Sequence, residues 1–180
     1  MIETQIAPAP FETTPMDSSR TRTYSWSDPR TTAHQIGKLS GAETLRAIGL
    51  GHLPSPPIMH TLGMAGIDVE EGRVTFTMRA QEFHYNPLGT VHGGVMSTML
   101  DSAAGCAVHS TLPAGWGYTS LDLNVKFLRP VTVDSGMLRC EGTVVNRGRT
   151  TALAEARLFD EAGRLVAHAT STCLLFEVPA

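Results

Sequence analysis

One long helical pattern lies between two sets of strand-like runs, and this order constrains the fold more than any other feature of the chain. The pattern extends from about residue 92 to residue 109. An apolar stripe with a spacing of four runs along it, formed by Val95, Met99, Ala103 and Ala107. Three neighbouring apolar residues widen this stripe: Met96, Leu100 and Ala104. The segment is rich in small residues and almost uncharged apart from Asp101. These properties predict a helix that a sheet wraps closely.

Strand-like runs lie on both sides of this helix. Before it, residues 64–69 and 73–79 flank Glu70-Glu71-Gly72, which predicts a hairpin with one buried face, formed in part by Val74, Phe76 and Met78. After it come the runs 118–128, 136–146, 150–160 and 165–176, joined by short turns at Arg129-Pro130, Arg147-Gly148-Arg149 and Glu161-Ala162-Gly163. Consecutive strands with tight turns predict an antiparallel meander. The expected class is α+β, with an antiparallel curled sheet wrapped around one central helix.

The first 40 residues differ in composition from the rest of the chain. They are rich in Thr, Ser, Pro and Arg and have no apolar period, so residues 1–40 are expected to be a flexible or loosely packed N-terminal extension. A docked arm is the alternative, because Phe11, Tyr24 and Trp26 could bind a groove. Residues 41–180 are then the one folded domain.

A short helix is predicted at the start of this domain. Ser40 and Glu43 have the spacing of a capping box. Leu45, Ile48 and Leu50 suit a short helix, which the following glycines and prolines end.

Composition excludes several functional classes. The formal net charge of -3 and the absence of a long basic run argue against nucleic acid as a partner. Cys106, Cys140 and Cys173 form no C-x-x-C pair, which argues against a disulfide framework or a zinc site and fits a reducing cytoplasm. No apolar stretch reaches the ~20 residues of a membrane helix. The N-terminus lacks the apolar core of a secretory signal, so a cytoplasmic protein without a membrane partner is expected.

The chemistry is concentrated between Asn86 and Asp101. In this run an amide, the imidazole of His92 and the pair Gly93-Gly94 precede a carboxylate inside the helix. The first turn of a helix presents unpaired backbone N–H groups at the positive end of the dipole, where an oxyanion is stabilised. Glycine there allows a substrate carbonyl to approach the backbone. The run therefore suggests acyl chemistry at a helix N-terminus.

Each of these residues also has a purely structural interpretation. Asp101 could lie on the solvent edge of the helix, and His92 could simply cap a helix entered through glycine. Asn86 could organise the loop that precedes the helix. Three catalytic motifs are absent from the sequence: the Gly-Lys-Ser/Thr of a phosphate loop, the G-x-S-x-G elbow of a serine hydrolase and the H-E-x-x-H of a zinc hydrolase.

Taken together, the motifs resemble hotdog-fold acyl-CoA thioesterases, and most closely the PaaI-like branch, named for phenylacetate metabolism. The first element is Asn86-x-x-Gly89-Thr90-x-His92-Gly93-Gly94 with Asp101 nine residues after His92. The likeness continues through Asp122-Leu123-Asn124-Val125-Lys126-Phe127-Leu128-Arg129-Pro130, Arg147-Gly148-Arg149 and Ala167-His168-Ala169-Thr170-Ser171-Thr172. It covers about residues 41 to 178.

The resemblance implies a catalytic role for five residues. Asp101 would act as general base or nucleophile on the thioester, and the Gly93 N–H would polarise the thioester carbonyl. Asn86 and His92 would shape the oxyanion side and help to place water. Ser120 falls where a hydroxyl residue of the next strand assists the water.

The resemblance also implies how substrate is bound. If the register of the strand differs by one residue from the expected one, Thr119 takes the place of Ser120 as the hydroxyl residue beside the water. The expected contacts to the coenzyme A phosphates or adenine come from basic residues near strand ends. The full set of substrate-binding residues is Thr119, Gly94, Lys126, Arg129, Arg147, Gly148 and Arg149.

In such proteins the Asn–His–Gly part and the Asp part of a site belong to different subunits, so a homodimer or a dimer of dimers is expected. The acyl-CoA is the substrate, and no cofactor or metal is expected. Two alternatives stay open: a hotdog acyl-CoA dehydratase or hydratase, and a non-catalytic acyl-CoA-binding protein.

Overall fold

The computed structural model describes residues 19–30 and 38–178. Its elements follow the predicted order of strands, one long helix and strands. The helices are α1 (Gly41–Gly49), α2 (Pro57–Leu62) and α3 (Gly93–His109). The strands are β1 (Met64–Glu70), β2 (Arg73–Arg79), β3 (Trp116–Ser120), β4 (Asn124–Phe127), β5 (Met137–Arg147), β6 (Thr151–Phe159) and β7 (Leu165–Glu177). Two single-turn 3-10 helices span Glu82–His84 and Val133–Ser135.

The strands form one antiparallel sheet in the order β1-β2-β5-β6-β7-β3. Strand β7, with 13 residues, pairs along one side with β6 and along the other with both β3 and β4. Among the described residues, β3 and β4 therefore form an outer edge of the sheet.

Helix α3 lies against the concave face of this sheet and packs on β2, β3, β5, β6 and β7. Small residues allow the close approach: a Cβ on Gly142 of β5 would lie 2.0 Å from the carbonyl oxygen of Ala103. Larger side chains fill the space around that contact, and Met99, Leu100 and Leu138 are fully buried. Burying a side chain of this size stabilises the fold by about 1.5–3 kcal/mol. The predicted α+β hotdog architecture is confirmed.

The local predictions at the N-terminal side also hold. In α1 the Ser40 hydroxyl accepts from the Glu43 N–H, and the Glu43 carboxylate accepts from the Ser40 N–H at 2.8 Å, which completes the capping box. In β2 the side chains of Val74, Phe76 and Met78 are buried, as the alternation predicts.

The predicted single strand over 118–128 was wrong, because the structure divides it into β3 and β4. Ser120 pairs with Cys173, and Asn124 pairs with Thr170. Three residues, 121–123, therefore lie opposite only two residues of β7, 171–172. This bulge is held by Asp122, whose Oδ1 accepts from the Thr172 N–H at 3.0 Å. One extra residue shifts the alternation of buried and exposed side chains by one position, from Tyr118 before the bulge to Leu123 and Val125 after it, and the prediction of one continuous strand did not allow for that shift.

Two smaller features also differ from the expectation. Leu50 does not share the buried face of α1; it caps the C-terminus and is 71% exposed. The proline-rich stretch that was predicted only to end α1 also starts α2, with Pro57 in its first turn. Proline at that position lacks only an N–H that would be unpaired anyway.

Part of the N-terminal extension contacts the domain. Arg20 forms an ion pair with Glu82, and the Arg22 guanidinium lies 4.2 Å from the centre of the Phe83 ring. Tyr24 and Trp26 pack against each other at 5.8 Å, both partly exposed. The docked-arm alternative, in which Phe11, Tyr24 and Trp26 bind a groove, stays a prediction, and Phe11 lies outside the described residues.

Across residues 19–30 and 38–178, no helix has both the length and the apolar character that a bilayer span requires.

Candidate functional site

Asp101 and Ser120 meet where β3 runs beside α3. Ser120 Oγ donates a hydrogen bond of 2.9 Å to Asp101 Oδ1. Asp101 is half-buried, on the third turn of the helix, and Ser120 is the last residue of β3. The structure thus brings Ser120, and not its neighbour Thr119, to the carboxylate, because successive side chains of a strand point to opposite faces.

The N-terminus of α3 is built by His92 and the two glycines. His92 is the N-cap, and its Nδ1 accepts from the Gly94 N–H at 2.8 Å. Within the part of the chain that the structure describes, the Gly93 N–H has no hydrogen-bond acceptor. Gly93 therefore carries an unpaired donor at the positive end of the helix dipole, whereas the Gly94 donor is already engaged.

Asn86 organises the loop that leads into this helix. Its Oδ1 accepts from the Leu88 N–H at 2.9 Å and from the Thr90 N–H at 3.3 Å, and its Nδ2 donates to Thr90 Oγ1. The loop is anchored to His84, whose carbonyl accepts from the His92 N–H at 2.8 Å. The amide thus has the loop-capping role that its sequence position allowed, and through the loop it fixes where α3 begins.

A cleft of about 340 Å³ opens beside this helix start. It is lined by Asn86, Gly93, Phe127 and Arg129, among others. A Cβ on Gly93 would lie 3.0 Å from the Phe127 ring, so this aromatic side chain rests directly on the glycine. The cleft thus combines a free backbone donor with an apolar wall and one cation.

Within one chain the two parts of the candidate site are separate. Asp101 is eight residues beyond Gly93, which at the rise of an α-helix is about 12 Å. A single thioester carbonyl needs its nucleophile and its oxyanion donor within about 3.5 Å. One chain therefore supplies two halves of a site that do not meet each other.

The basic residues fall into two groups at opposite ends of the molecule. Arg129 lines the cleft at the start of α3, and Lys126 lies on the neighbouring strand β4. Arg147 instead lines a different cleft with Ser110 and Thr111, beyond the C-terminal end of the helix. Gly148 and Arg149 lie next to Arg147 on the exposed turn between β5 and β6. A 17-residue helix separates the groups by about 25 Å.

Tyr118 is a neighbour of the site that sequence reasoning missed. Its ring lies on Gly105, where a Cβ would come within 2.6 Å of it. Burial raises the pKa of Tyr118 and raises that of Cys106 beside it to about 12, so both remain protonated and neutral. The glycine inside the apolar helix was the available signal, since alanine is the better helix former.

No group of three or more His, Cys, Asp or Glu side chains is arranged to hold a metal ion in the region that the structure describes. The three cysteines are free thiols. The groups available at this site are therefore a carboxylate, a hydroxyl, an imidazole and a backbone N–H.

Known proteins share this arrangement of helix and sheet. The family model for the thioesterase superfamily matches residues 88–167. A candidate thioesterase, the phenylacetic acid degradation-related protein of Ralstonia eutropha JMP134, is 33% identical, with a TM-score of 0.66 over 72% of this chain and 98% of its own.

Two further relatives carry coenzyme A in their descriptions. Human acyl-coenzyme A thioesterase 13 is 28% identical over 107 residues, which are 59% of this chain and 75% of that protein. A protein of Streptococcus mutans UA159, solved with acetyl-CoA bound, is 26% identical with a TM-score of 0.57, covering 65% of this chain and 90% of that one. Given the Ralstonia relative aligned over almost its whole length, this chain belongs to the thioesterase superfamily, as a PaaI-like thioester hydrolase of hotdog fold.

Proposed function

We propose that the protein hydrolyses acyl-CoA thioesters to the free acid and coenzyme A. The observation that carries this proposal is the hydrogen bond from Ser120 to Asp101. Asp101 lies on the same helix whose N-terminus presents the unpaired Gly93 N–H. The human relative described as an acyl-coenzyme A thioesterase and the acetyl-CoA complex of the Streptococcus relative support the choice of coenzyme A.

In the proposed reaction a water molecule attacks the thioester carbonyl. Asp101 takes a proton from that water, while Ser120 holds Oδ1 and so orients the carboxylate. The negative charge on the carbonyl oxygen is stabilised by the Gly93 N–H at the end of the helix dipole. Collapse of the tetrahedral intermediate breaks the carbon–sulfur bond, and the departing thiolate takes up a proton to give free coenzyme A.

The proposal includes a homodimer, because the two halves of the site lie about 12 Å apart along one helix. Strands β3 and β4 form an edge of the sheet, and Leu121, Phe127 and Leu128 along it are each at least half exposed. An apolar unpaired edge favours pairing with a second copy. Such pairing would lay Asp101 of one chain beside Gly93 of its partner; a dimer of dimers is the larger form.

Arg129 and Lys126 are proposed to bind the phosphates of coenzyme A, since they flank the cleft at the Gly93 end. Arg147, Gly148 and Arg149 can contribute only from another subunit, given their place at the opposite end of α3. A cytoplasmic location, with no cofactor, completes the proposal; three free thiols are compatible with a reducing compartment.

The test is thiol release from a panel of straight-chain and aryl acyl-CoAs, with wild type and Asp101→Asn compared. The expected result is hydrolysis by wild type and a fall of roughly 10²–10⁴ in kcat for the variant. Equal turnover by a folded Asp101→Asn protein would contradict the role of Asp101. If wild type released no thiol, enoyl-CoA hydration and acyl-CoA binding would be measured next, as the two alternatives require.

The same assay distinguishes general-base from nucleophilic catalysis. A single turnover in ¹⁸O-labelled water places the label directly in the product acid if Asp101 acts as base. If Asp101 attacks the carbonyl itself, it expels the thiolate and forms an acyl–Asp101 anhydride, and water that attacks the Asp101 carbon of this anhydride releases the acid and leaves the label in the Asp101 carboxylate.

A further inference from the structure

The outer edge of the sheet changes its inward-facing set of residues beside the candidate site. Before the bulge, Tyr118 and Ser120 both lie toward α3, where Ser120 reaches Asp101. After the bulge, Leu123 and Val125 pack against the core. In a regular strand, residues an odd number of positions apart point to opposite faces, so Ser120 and Leu123 could not share one. The extra residue of the bulge allows them to do so.

Two hydrogen bonds to Thr172 of β7 fix this bulge. The Leu121 N–H donates to the Thr172 carbonyl oxygen at 2.8 Å, and Asp122 Oδ1 accepts from the Thr172 N–H at 3.0 Å. In a regular antiparallel pair, the N–H and the carbonyl of one residue both bond to the backbone of one residue opposite. Here the side chain of Asp122 takes the place of the backbone acceptor that the bulge removes.

A third hydrogen bond ties Asp122 to the interior of the sheet. Its backbone carbonyl accepts from Ser171 Oγ at 2.7 Å, and Ser171 is fully buried. Of the residues that the structure describes, the Asp122 carboxylate bonds to Thr172 and not to Ser120 or Asp101. An effect of this carboxylate on the reaction would therefore pass through the strand.

On the basis of the thioesterase reaction proposed above, we propose that Asp122 is a positioning residue, whose carboxylate holds the bulge that aims the Ser120 hydroxyl at Asp101. Across residues 19–30 and 38–178, β3 and β4 bond to β7 alone, so few contacts set their register. A slip of one residue would turn Ser120 to the opposite face, away from Asp101. The Asp122 carboxylate opposes that slip, because it meets the Thr172 N–H in only one register.

This role needs a hydrogen-bond acceptor and no negative charge. Asparagine has nearly the same shape and an amide oxygen that can accept from the Thr172 N–H, whereas alanine has no acceptor. We expect Asp122→Ala to lower kcat about 5- to 10-fold, with KM changed by less than about twofold, and Asp122→Asn to stay within about twofold of wild type in both. Equal losses in the two variants would show that the charge matters and would overturn the inference.

A double-mutant cycle determines whether Asp122 acts through Ser120. In the Ser120→Ala background no hydroxyl is left to aim, so Asp122→Ala is expected to lower kcat no further. A general loss of structure would lower kcat by the same factor in both backgrounds. Effects that multiply in the double variant would therefore contradict a positioning role.

Asp68→Ala is the matched control. Asp68 lies on β1, at the other end of the strand order, and its Oδ1 also accepts from a backbone N–H, that of Val69, at 3.0 Å. Loss of this bond is expected to leave kcat within about twofold of wild type, because it is remote from Ser120. Melting temperatures give the folded fraction of each variant at the assay temperature.

Amide hydrogen exchange at Thr172 tests the bulge without any substrate. This N–H is expected to exchange about tenfold faster in Asp122→Ala than in wild type or Asp122→Asn, since only alanine leaves it without its acceptor. Equal exchange in all three proteins would show that the carboxylate does not hold the bulge.

The outcomes separate this inference from the proposed function. If wild type releases thiol and Ser120→Ala is impaired while Asp122→Ala keeps the wild-type kcat, the inference is wrong and the thioesterase proposal stands. No thiol release by wild type from any acyl-CoA would overturn both.

Discussion

The hydroxyl of Ser120 donates to Oδ1 of Asp101 across 2.9 Å, joining the edge strand of the sheet to its central helix. The two residues are 19 positions apart, and the pairing of β3 with β7 sets their contact. Because the hydroxyl binds one oxygen of the carboxylate, it also fixes the direction of the other.

We expect Ser120→Ala to lower kcat about 10- to 100-fold with little change in KM, because a hydrogen bond to a charged group contributes about 1.5–3 kcal/mol. Steady-state thiol release measures the effect. Ser102→Ala, on the helix beside Asp101, removes a hydroxyl from outside the site and controls for the loss of a polar group. A loss confined to KM would argue that Ser120 binds substrate without orienting Asp101.

The Gly93 donor can be removed without breaking the helix. Gly93 is the first residue of α3, where proline is tolerated, and His92 before it has the extended backbone that precedes proline. We expect Gly93→Pro to lower kcat roughly 10²–10³-fold relative to Gly93→Ala, since only proline removes the N–H. Both variants place a Cβ against Phe127, so the comparison cancels that contact. Equal kcat values in the two variants would exclude the N–H as oxyanion donor.

A site shared between subunits predicts complementation. Asp101→Asn and Gly93→Pro homodimers are each expected to be inactive, whereas a mixed dimer contains one site with both wild-type halves. Random 1:1 mixing of chains in a symmetric dimer should restore about a quarter of wild-type activity. Co-expression with two affinity tags isolates the mixed species for assay. No recovery in a purified mixed dimer would place both halves of each site in one chain.

Acid is expected to destabilise the protein through two buried histidines. Desolvation lowers the pKa of both His84 and His109 from their ordinary value of 6.5. Below about pH 6.5 the unfolded chain therefore binds protons that the folded chain does not. Each neutral, buried histidine therefore adds to the free energy of unfolding above about pH 6.5. This contribution is lost as the pH falls from there toward the lower pKa of the histidine in the folded protein.

The slope of this loss is at most ~1.4 kcal/mol per pH unit for each histidine. Urea unfolding between pH 5 and pH 7.5 measures it. His109→Gln is expected to flatten the profile, because glutamine does not titrate, and substitution of the exposed His52 is the control. A profile that remains as steep without His109 would assign the pH dependence elsewhere.

Gly142 is expected to tolerate no side chain. A Cβ there would lie 2.0 Å from the Ala103 carbonyl oxygen, and a helix backbone cannot move aside as a flexible side chain can. Gly142→Ala should lower the free energy of unfolding by ~1–3 kcal/mol or prevent folding. Thr143→Ala, at the next and exposed position, should change it by less than ~0.5 kcal/mol. Denaturant midpoints of the two variants give the comparison.

Much of the fold was predictable because its signals are local. The alternation in β2, the Ser40–Glu43 capping box and the apolar pattern of α3 each depend on residues within one element. The bulge at Asp122 was not predictable, because it results from pairing with Thr172, fifty residues away. The helix α2 was hidden by prolines that serve equally to end one helix and to begin another.

For the candidate site, the sequence by itself determined which chemical groups are available: the carboxylate of Asp101, the hydroxyl of Ser120 and a glycine at the start of an apolar helix. Only the tertiary structure decided which of them meet. It joined Asp101 to Ser120, set Gly93 about 12 Å from Asp101 along the helix, and brought Thr44 and His109 to the wall of one cavity. The reason is that spacing along a chain fixes contacts only within an element, whereas contacts between elements depend on sheet register and on side-chain volume.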